Sequence, residues 1–207
     1  MDSRNFDFSS RWPLPYVAFI ALANFTSPEL AYAVLAYSST RAALNREGKA
    51  LTPSLRGTVL SLSSVLVAQM VLAPSGSFSS PRLAVFTFAA VSAVVEEVYF
   101  RGVLQHMFGI LPQAFAFSLA HMRLNDPVSL VESALLTPHY FLLGVAMGLI
   151  AESNGYLVSS AAHVLYNLIA VTYTLPLDAC VVLLLVASDA VMVSATALPT
   201  LATLKRG

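Results

Sequence analysis

The sequence predicts an all-α, polytopic membrane protein, a bundle of about eight membrane segments with a polar cavity near the bilayer midplane. Hydrophobic residues make up 57% of the 207 and charged residues only 11%, whereas soluble domains carry about 25% charged residues. The apolar residues also fall in successive runs separated by short polar segments, so 1–207 reads as a single integral-membrane domain. The cavity is predicted by Glu96, Glu97 and Arg101, which lie inside the apolar run 83–110. A charge at mid-bilayer costs about 2.5–3.5 kcal/mol even on lenient insertion scales. Ionisable side chains clustered at that depth mark a functional site by default.

Composition removes several classes. Net charge is zero, which argues against a nucleic-acid partner. Cys180 is the single cysteine, so neither an intrachain disulfide nor a thiolate zinc site can be built from it. Residues 14–23 could pass for the apolar part of a signal peptide. Asp2 and Asp7 spoil the basic start such a peptide needs, and Pro13 and Pro15 interrupt it, so cleavage is not expected.

The segments follow in order. Residues 14–25 are apolar, and Ser27-Pro28-Glu29 then reads as a helix start, with Ser27 as N-cap and Pro28 as first helical residue. Residues 28–43 form the second apolar segment. The loop 41–56 holds Arg41, Arg46, Lys49 and Arg56 against Glu47, the strongest cytoplasmic signal in the chain. A span over 53–73 leads to the Ser/Pro/Gly-rich loop 74–81, which has no basic residue and suits the outer side. Residues 82–109 bear the charges. The short piece 112–122 ends at the polar cluster 123–127, and a span over 128–151 follows with a kink expected at Pro138. Asn154-Gly155 turns the chain into 156–174, and 176–199 is the last span before Lys205 and Arg206. Reading 14–25 and 28–43 as a hairpin gives about eight segments and puts both termini with the basic loop on the cytoplasmic side. A single kinked span there gives about seven.

Depth brings three polar residues together. At about 1.5 Å per residue, Glu96 lies roughly 20 Å from either end of its helix, His121 roughly 15 Å into the short segment and His163 roughly 12 Å into its own. Non-helical backbone at such depth is tolerated only inside protein or beside water. The break at 123–126 therefore predicts a wet cavity.

Glu97 and Arg101 stand at i and i+4 with the acid first, the favoured order for a helical ion pair. Glu96 points about 100° further round and has no basic partner on its own turn, which leaves it available as a general base. Phe117 and His121 share a helical face beside the polar break, where His121 could activate water. His163 and Asn167, again i and i+4, could each donate a hydrogen bond to a developing oxyanion, or simply join helices to one another. His106, Glu132, His139, Glu152 and Asp189 are read as interfacial or packing residues.

Glu96-Glu97-x-x-x-Arg101, then Phe117-x-x-x-His121, then His163-x-x-x-Asn167 resemble the signature of the CAAX prenyl proteases and bacteriocin-processing enzymes, the CPBP or Abi family of intramembrane endopeptidases. Phe141-x-x-Gly144-x-x-x-Gly148 and the turn Asn154-Gly155-Tyr156-Leu157 add to the likeness, which covers about residues 85–172. Where the family's turn usually reads Gly-Ser-Leu, Tyr156 takes the middle place. The resemblance implies that Glu96 and His121 activate a water and that His163 and Asn167 stabilise the oxyanion, with Glu97 and Arg101 in support. In the prenyl-protease branch the substrate is a prenylated Cys-a-a-X tail that loses its last three residues.

One glutamate and two histidines could also form an open zinc site. The tight His-Glu-x-x-His spacing is absent, and the resemblance favours a metal-independent glutamate mechanism, so no metal and no cofactor are expected. The expected partners are the lipid bilayer and a prenylated or membrane-embedded peptide substrate, reaching the site from the cytoplasmic side. The competing readings are a non-catalytic family member acting as scaffold or immunity factor, and a proton- or ion-coupled transporter. The lack of a visible inverted repeat weakens the transporter reading.

Overall fold

A computed structural model of the chain describes residues 12–44 and 54–204. Arg4, Arg11, Arg46, Lys49, Lys205 and Arg206, which carry much of the cytoplasmic assignment, lie outside the described residues.

Helices dominate. In order they are α1 (Pro13–Phe25), α2 (Pro28–Leu44), α3 (Leu55–Leu72), α4 (Leu83–Tyr99), α5 (His106–Phe108), α6 (Ile110–Ala120), α7 (Pro127–Leu135), α8 (Thr137–Asn154), α9 (Tyr156–Ala170) and α10 (Ala179–Leu204). The expected cap holds at α2, where Leu30 N–H donates to Ser27 Oγ at 3.3 Å. At α3, Gly57 N–H donates to Ser54 Oγ at 3.0 Å. Between α4 and α5 the backbone runs through a π-helical stretch, Phe100–Gln105, so Leu83–Phe108 forms one continuous helical rod. Such stretches recur at functional sites because the extra residue re-aims side chains. Here one begins beside Arg101.

Among the described residues, three helical stretches are long and apolar enough to cross a membrane: Leu55–Ser75, Leu83–Phe108 and Ala179–Ala197. Counting the bent pair α7 and α8 as one span makes four. Helices α1, α6 and α9 are apolar but shorter. By its 11 residues α6 reaches about 16 Å, roughly half of a hydrocarbon core. Polarity is distributed as a lipid-facing protein requires. Large apolar side chains such as Leu55, Met70, Leu83 and Leu183 point outward, while Gln69, Gln105, Gln113, Ser159 and Ser188 are buried.

The interior is built around α8. Helix α6 packs along one side of it, α10 along another, and α9 returns beside it, while α4 lies on α9. Two glycines permit the close α6 contact. A Cβ on Gly144 would stand 3.0 Å from the Ala114 Cα, and one on Gly148 would stand 2.9 Å from Gln113 Nε2. The close approach also brings α8 carbonyls within reach of side chains: Gln113 Nε2 donates to Gly144 O at 3.0 Å and Gln105 Nε2 to Gly148 O at 3.0 Å. Phe100, Leu104, Phe117, Met147 and Ile150 fill the core.

Two boundaries differ from expectation. The segment 128–151 is two helices meeting at Leu136 with a 48° bend. Pro138 sits in the first turn of α8, where its missing N–H costs nothing. The segment 156–174 ends as a helix at Ala170. Tyr173–Thr174 pairs antiparallel with Ser77–Phe78, tying the loop before α4 to the loop before α10.

Candidate active site

The acidic pair sits at the C-terminal end of α4, one side chain directed toward α2 and the other toward α9. Glu97 is fully buried. Arg101 Nη1 stands 3.2 Å from its Oε1, the expected i,i+4 ion pair, and Ser159 Oγ donates to its Oε2. His163 Nδ1 is 2.8 Å from Oε1, so the imidazole N–H donates to the same carboxylate. Arg101 is anchored further by Nη2 donating to Gly144 O at 3.3 Å, with its guanidinium 4.6 Å from the centroid of the Phe117 ring. Glu97 is therefore the point where α4, α9 and, through Arg101, α8 meet.

Glu96 is also buried but held differently. Tyr32 Oη on α2 donates to its Oε1. Its Oε2 has no hydrogen-bond partner among the described residues and lies 3.7 Å from His163 Nε2. Glu96 lacks a basic partner on its own turn, as expected, yet it is not isolated. His163 stands between the two carboxylates, one ring nitrogen toward each. Sequence reasoning missed Tyr32 and Ser159, which lie on other helices and have no spacing relation to the acids.

His121 closes α6. Its Nδ1–H donates to Phe117 O at 2.9 Å, which makes Nε2 the acceptor of the neutral ring. The ring stacks on Tyr140 at 4.1 Å and 20°, and lies within electrostatic reach of Glu96. Phe117 explains the i,i+4 pattern: its ring centroid is 4.6 Å from that of His121 and 5.8 Å from that of His163. One phenyl ring spaces both imidazoles and the guanidinium.

Asn167 Nδ2 donates to Ala89 O at 3.2 Å, across α9 and α4. The structure thus brings Glu96, Glu97, Arg101 and His163 into direct contact, while Asn167 is engaged with backbone. His121 and Asn167 line a cavity of about 240 Å³, and His121 also lines a neighbouring one of about 290 Å³. Glu96 and His163 are on the wall of neither. Among the described residues, no three of His, Cys, Asp and Glu converge in a geometry able to hold a metal ion.

A family model described as "Type II CAAX prenyl endopeptidase Rce1-like" matches residues 78–169. This stretch is similar to the Rce1-like family. The Rce1-like segment contains every residue from Glu96 to Asn167 singled out above, while Tyr32 comes from outside it. No curated protein and no solved structure matches the chain.

His139 and Asp189, read from the sequence as interfacial or packing residues, meet inside the bundle. His139 Nδ1 lies 2.6 Å from Asp189 Oδ2, and both residues are buried. They form a second imidazole–carboxylate pair, joining α8 to α10.

Proposed function

We propose that the chain is a membrane-embedded endopeptidase that hydrolyses a peptide bond in a membrane-associated substrate, removing the C-terminal tripeptide of a prenylated Cys-a-a-X protein. The observation that carries this reading is Glu96: a buried carboxylate with one oxygen held by Tyr32 and the other facing His163. An acid kept in an apolar interior needs a use, and a carboxylate with one free oxygen can accept a proton.

In this reading a water is oriented by Glu96 and His121, whose Nε2 is left as acceptor. Its oxygen bonds to the scissile carbonyl carbon while Glu96 takes the proton. The charge that develops on the carbonyl oxygen is met by His163 and Asn167. Two carboxylates and one guanidinium leave the cluster with one negative charge in excess, which His163 carrying both ring protons balances. A low-dielectric interior favours that balance, which gives Nε2 a proton to donate. Collapse of the tetrahedral intermediate breaks the C–N bond, and Glu96 returns its proton to the leaving amine. Glu97 and Arg101 hold His163 in place. Water and side chains suffice for this sequence, so no cofactor enters it. In this reading the chain is multi-pass with about eight membrane segments, and the cavity is reached from the cytoplasmic side.

One observation favours a second reading, a non-catalytic scaffold or immunity factor. Glu96 and His163 line neither the cavity that His121 and Asn167 share nor the second one beside His121. A single assay separates the two. Purified protein is incubated with a farnesylated Cys-a-a-X peptide, and the products are identified by mass spectrometry. The proposed activity gives the free tripeptide and a new C-terminal prenylcysteine. Intact peptide from folded protein supports the scaffold.

A further inference from the structure

The His139–Asp189 pair has no part in the hydrolysis set out above. An acid within a helix apolar enough to cross a membrane is costly unless it serves a purpose. Asp189 has no side-chain exposure at all, whereas His139 keeps 7%. His139 lies on the wall of both cavities described above, together with His121 and Tyr140. With Nδ1 committed to Asp189, the ring edge left for the cavities is the one carrying Nε2. The low dielectric favours a pair of zero net charge. That condition is met by imidazolium with carboxylate, or by neutral imidazole with carboxylic acid. Both arrangements put a proton on Nε2, so His139 presents a donor to the cavity.

Arg123 lines the larger cavity beside it. Its loop is pinned: Arg123 N–H donates to Ser133 Oγ at 3.0 Å and Leu124 N–H to Asn24 Oδ1 at 2.6 Å, while Asn24 Nδ2 donates to Met122 O at 3.2 Å. Glu132 lies on the same wall, so the fixed charges of Arg123 and Glu132 cancel and leave the donor of His139 in excess. A planar guanidinium with a neighbouring imidazole N–H suits a carboxylate.

We propose that His139, held by Asp189, and Arg123 form a subsite for the free α-carboxylate of a peptide bound in this cavity. It rests on the proposed endopeptidase function only for the choice of a peptide as bearer of the carboxylate. His139 and Arg123 bind the substrate's end, away from the bond that breaks, and Asp189 is a positioning residue.

The test uses the full chain in nanodiscs and a non-hydrolysable farnesyl-Cys-a-a-X analogue in two forms, C-terminal acid and C-terminal amide. Wild type is expected to bind the acid at least about tenfold more tightly than the amide, the size of one charge-assisted hydrogen bond. His139→Gln and Arg123→Gln should each reduce that preference. Equal binding of the two forms by wild type, or failure to bind either, overturns the proposal without needing any variant to fold. Palmitate competing as well as the acid peptide overturns the peptide assignment in favour of a lipid carboxylate. Cleavage of both hydrolysable forms at equal rates with no binding preference leaves the endopeptidase standing and the subsite refuted. Acid-selective binding without cleavage does the reverse.

Discussion

The Nδ1 of His163 lies 2.8 Å from Oε1 of Glu97, and that contact ties α9 to α4 at the most buried charge in the Rce1-like segment. Glu97 also faces Arg101 at 3.2 Å, so its charge holds two cationic or donor groups in register. Glu97→Gln removes the carboxylate that Arg101 contacts directly. Breaking a buried pair from one side costs about 3–5 kcal/mol. Thermal unfolding in detergent should show a clearly lowered Tm, and an unchanged Tm would mean that the pair is not formed.

Tyr32 donates to Glu96 Oε1 and comes from α2, outside the family match. Tyr32→Phe keeps the ring packing against Phe19 and Phe88 and deletes the hydroxyl. A hydrogen bond to a charged group is worth about 1.5–3 kcal/mol. The expected result is a kcat lowered about ten- to a hundredfold with KM changed less than about twofold. Loss confined to KM would place Tyr32 in substrate binding.

Gly144 tests the fold beneath the site. Its Cβ position is 3.0 Å from Ala114 Cα, and backbone cannot yield as a flexible side chain can. Gly144→Ala should push α6 and α8 apart, costing about 1–3 kcal/mol. It should also weaken the carbonyl contacts of Arg101 and Gln113, which both end on Gly144 O. Wild-type stability would show that the helices are not in contact there.

Treatment with a chelator should leave peptide cleavage unchanged. The prediction follows from the ligand arrangement: His163 spends Nδ1 on Glu97 and His121 spends Nδ1 on Phe117 O, and no three donors converge among the described residues. Inactivation by chelator with recovery on adding zinc would contradict the metal-free mechanism.

What could be read from the sequence was what local periodicity encodes. Ser27 and Pro28 mark a helix start, Glu97 and Arg101 pair across one turn, and Phe117 sets His121 one turn on. The Gly144 and Gly148 spacing was legible only as part of the family likeness; the close packing of α6 on it was not. Contacts between helices were not readable, because an apolar run does not state which neighbour it faces. Tyr32 is 64 residues from Glu96, and His139 is 50 from Asp189. Each looked like an isolated polar residue. The π-helical stretch after Tyr99 was hidden for a related reason, since Phe100–Gln105 reads as ordinary helix and its winding depends on what surrounds it.

The central claim is that Glu96 is the base, and its most direct test is the ratio of kcat/KM for wild type and Glu96→Gln on one fluorogenic farnesylated peptide. Glutamine keeps the size of the side chain and an oxygen for Tyr32 but cannot take a proton. A fall of about 10²–10⁴-fold, with Tm preserved, is the predicted result. Equal cleavage by the two proteins would contradict it.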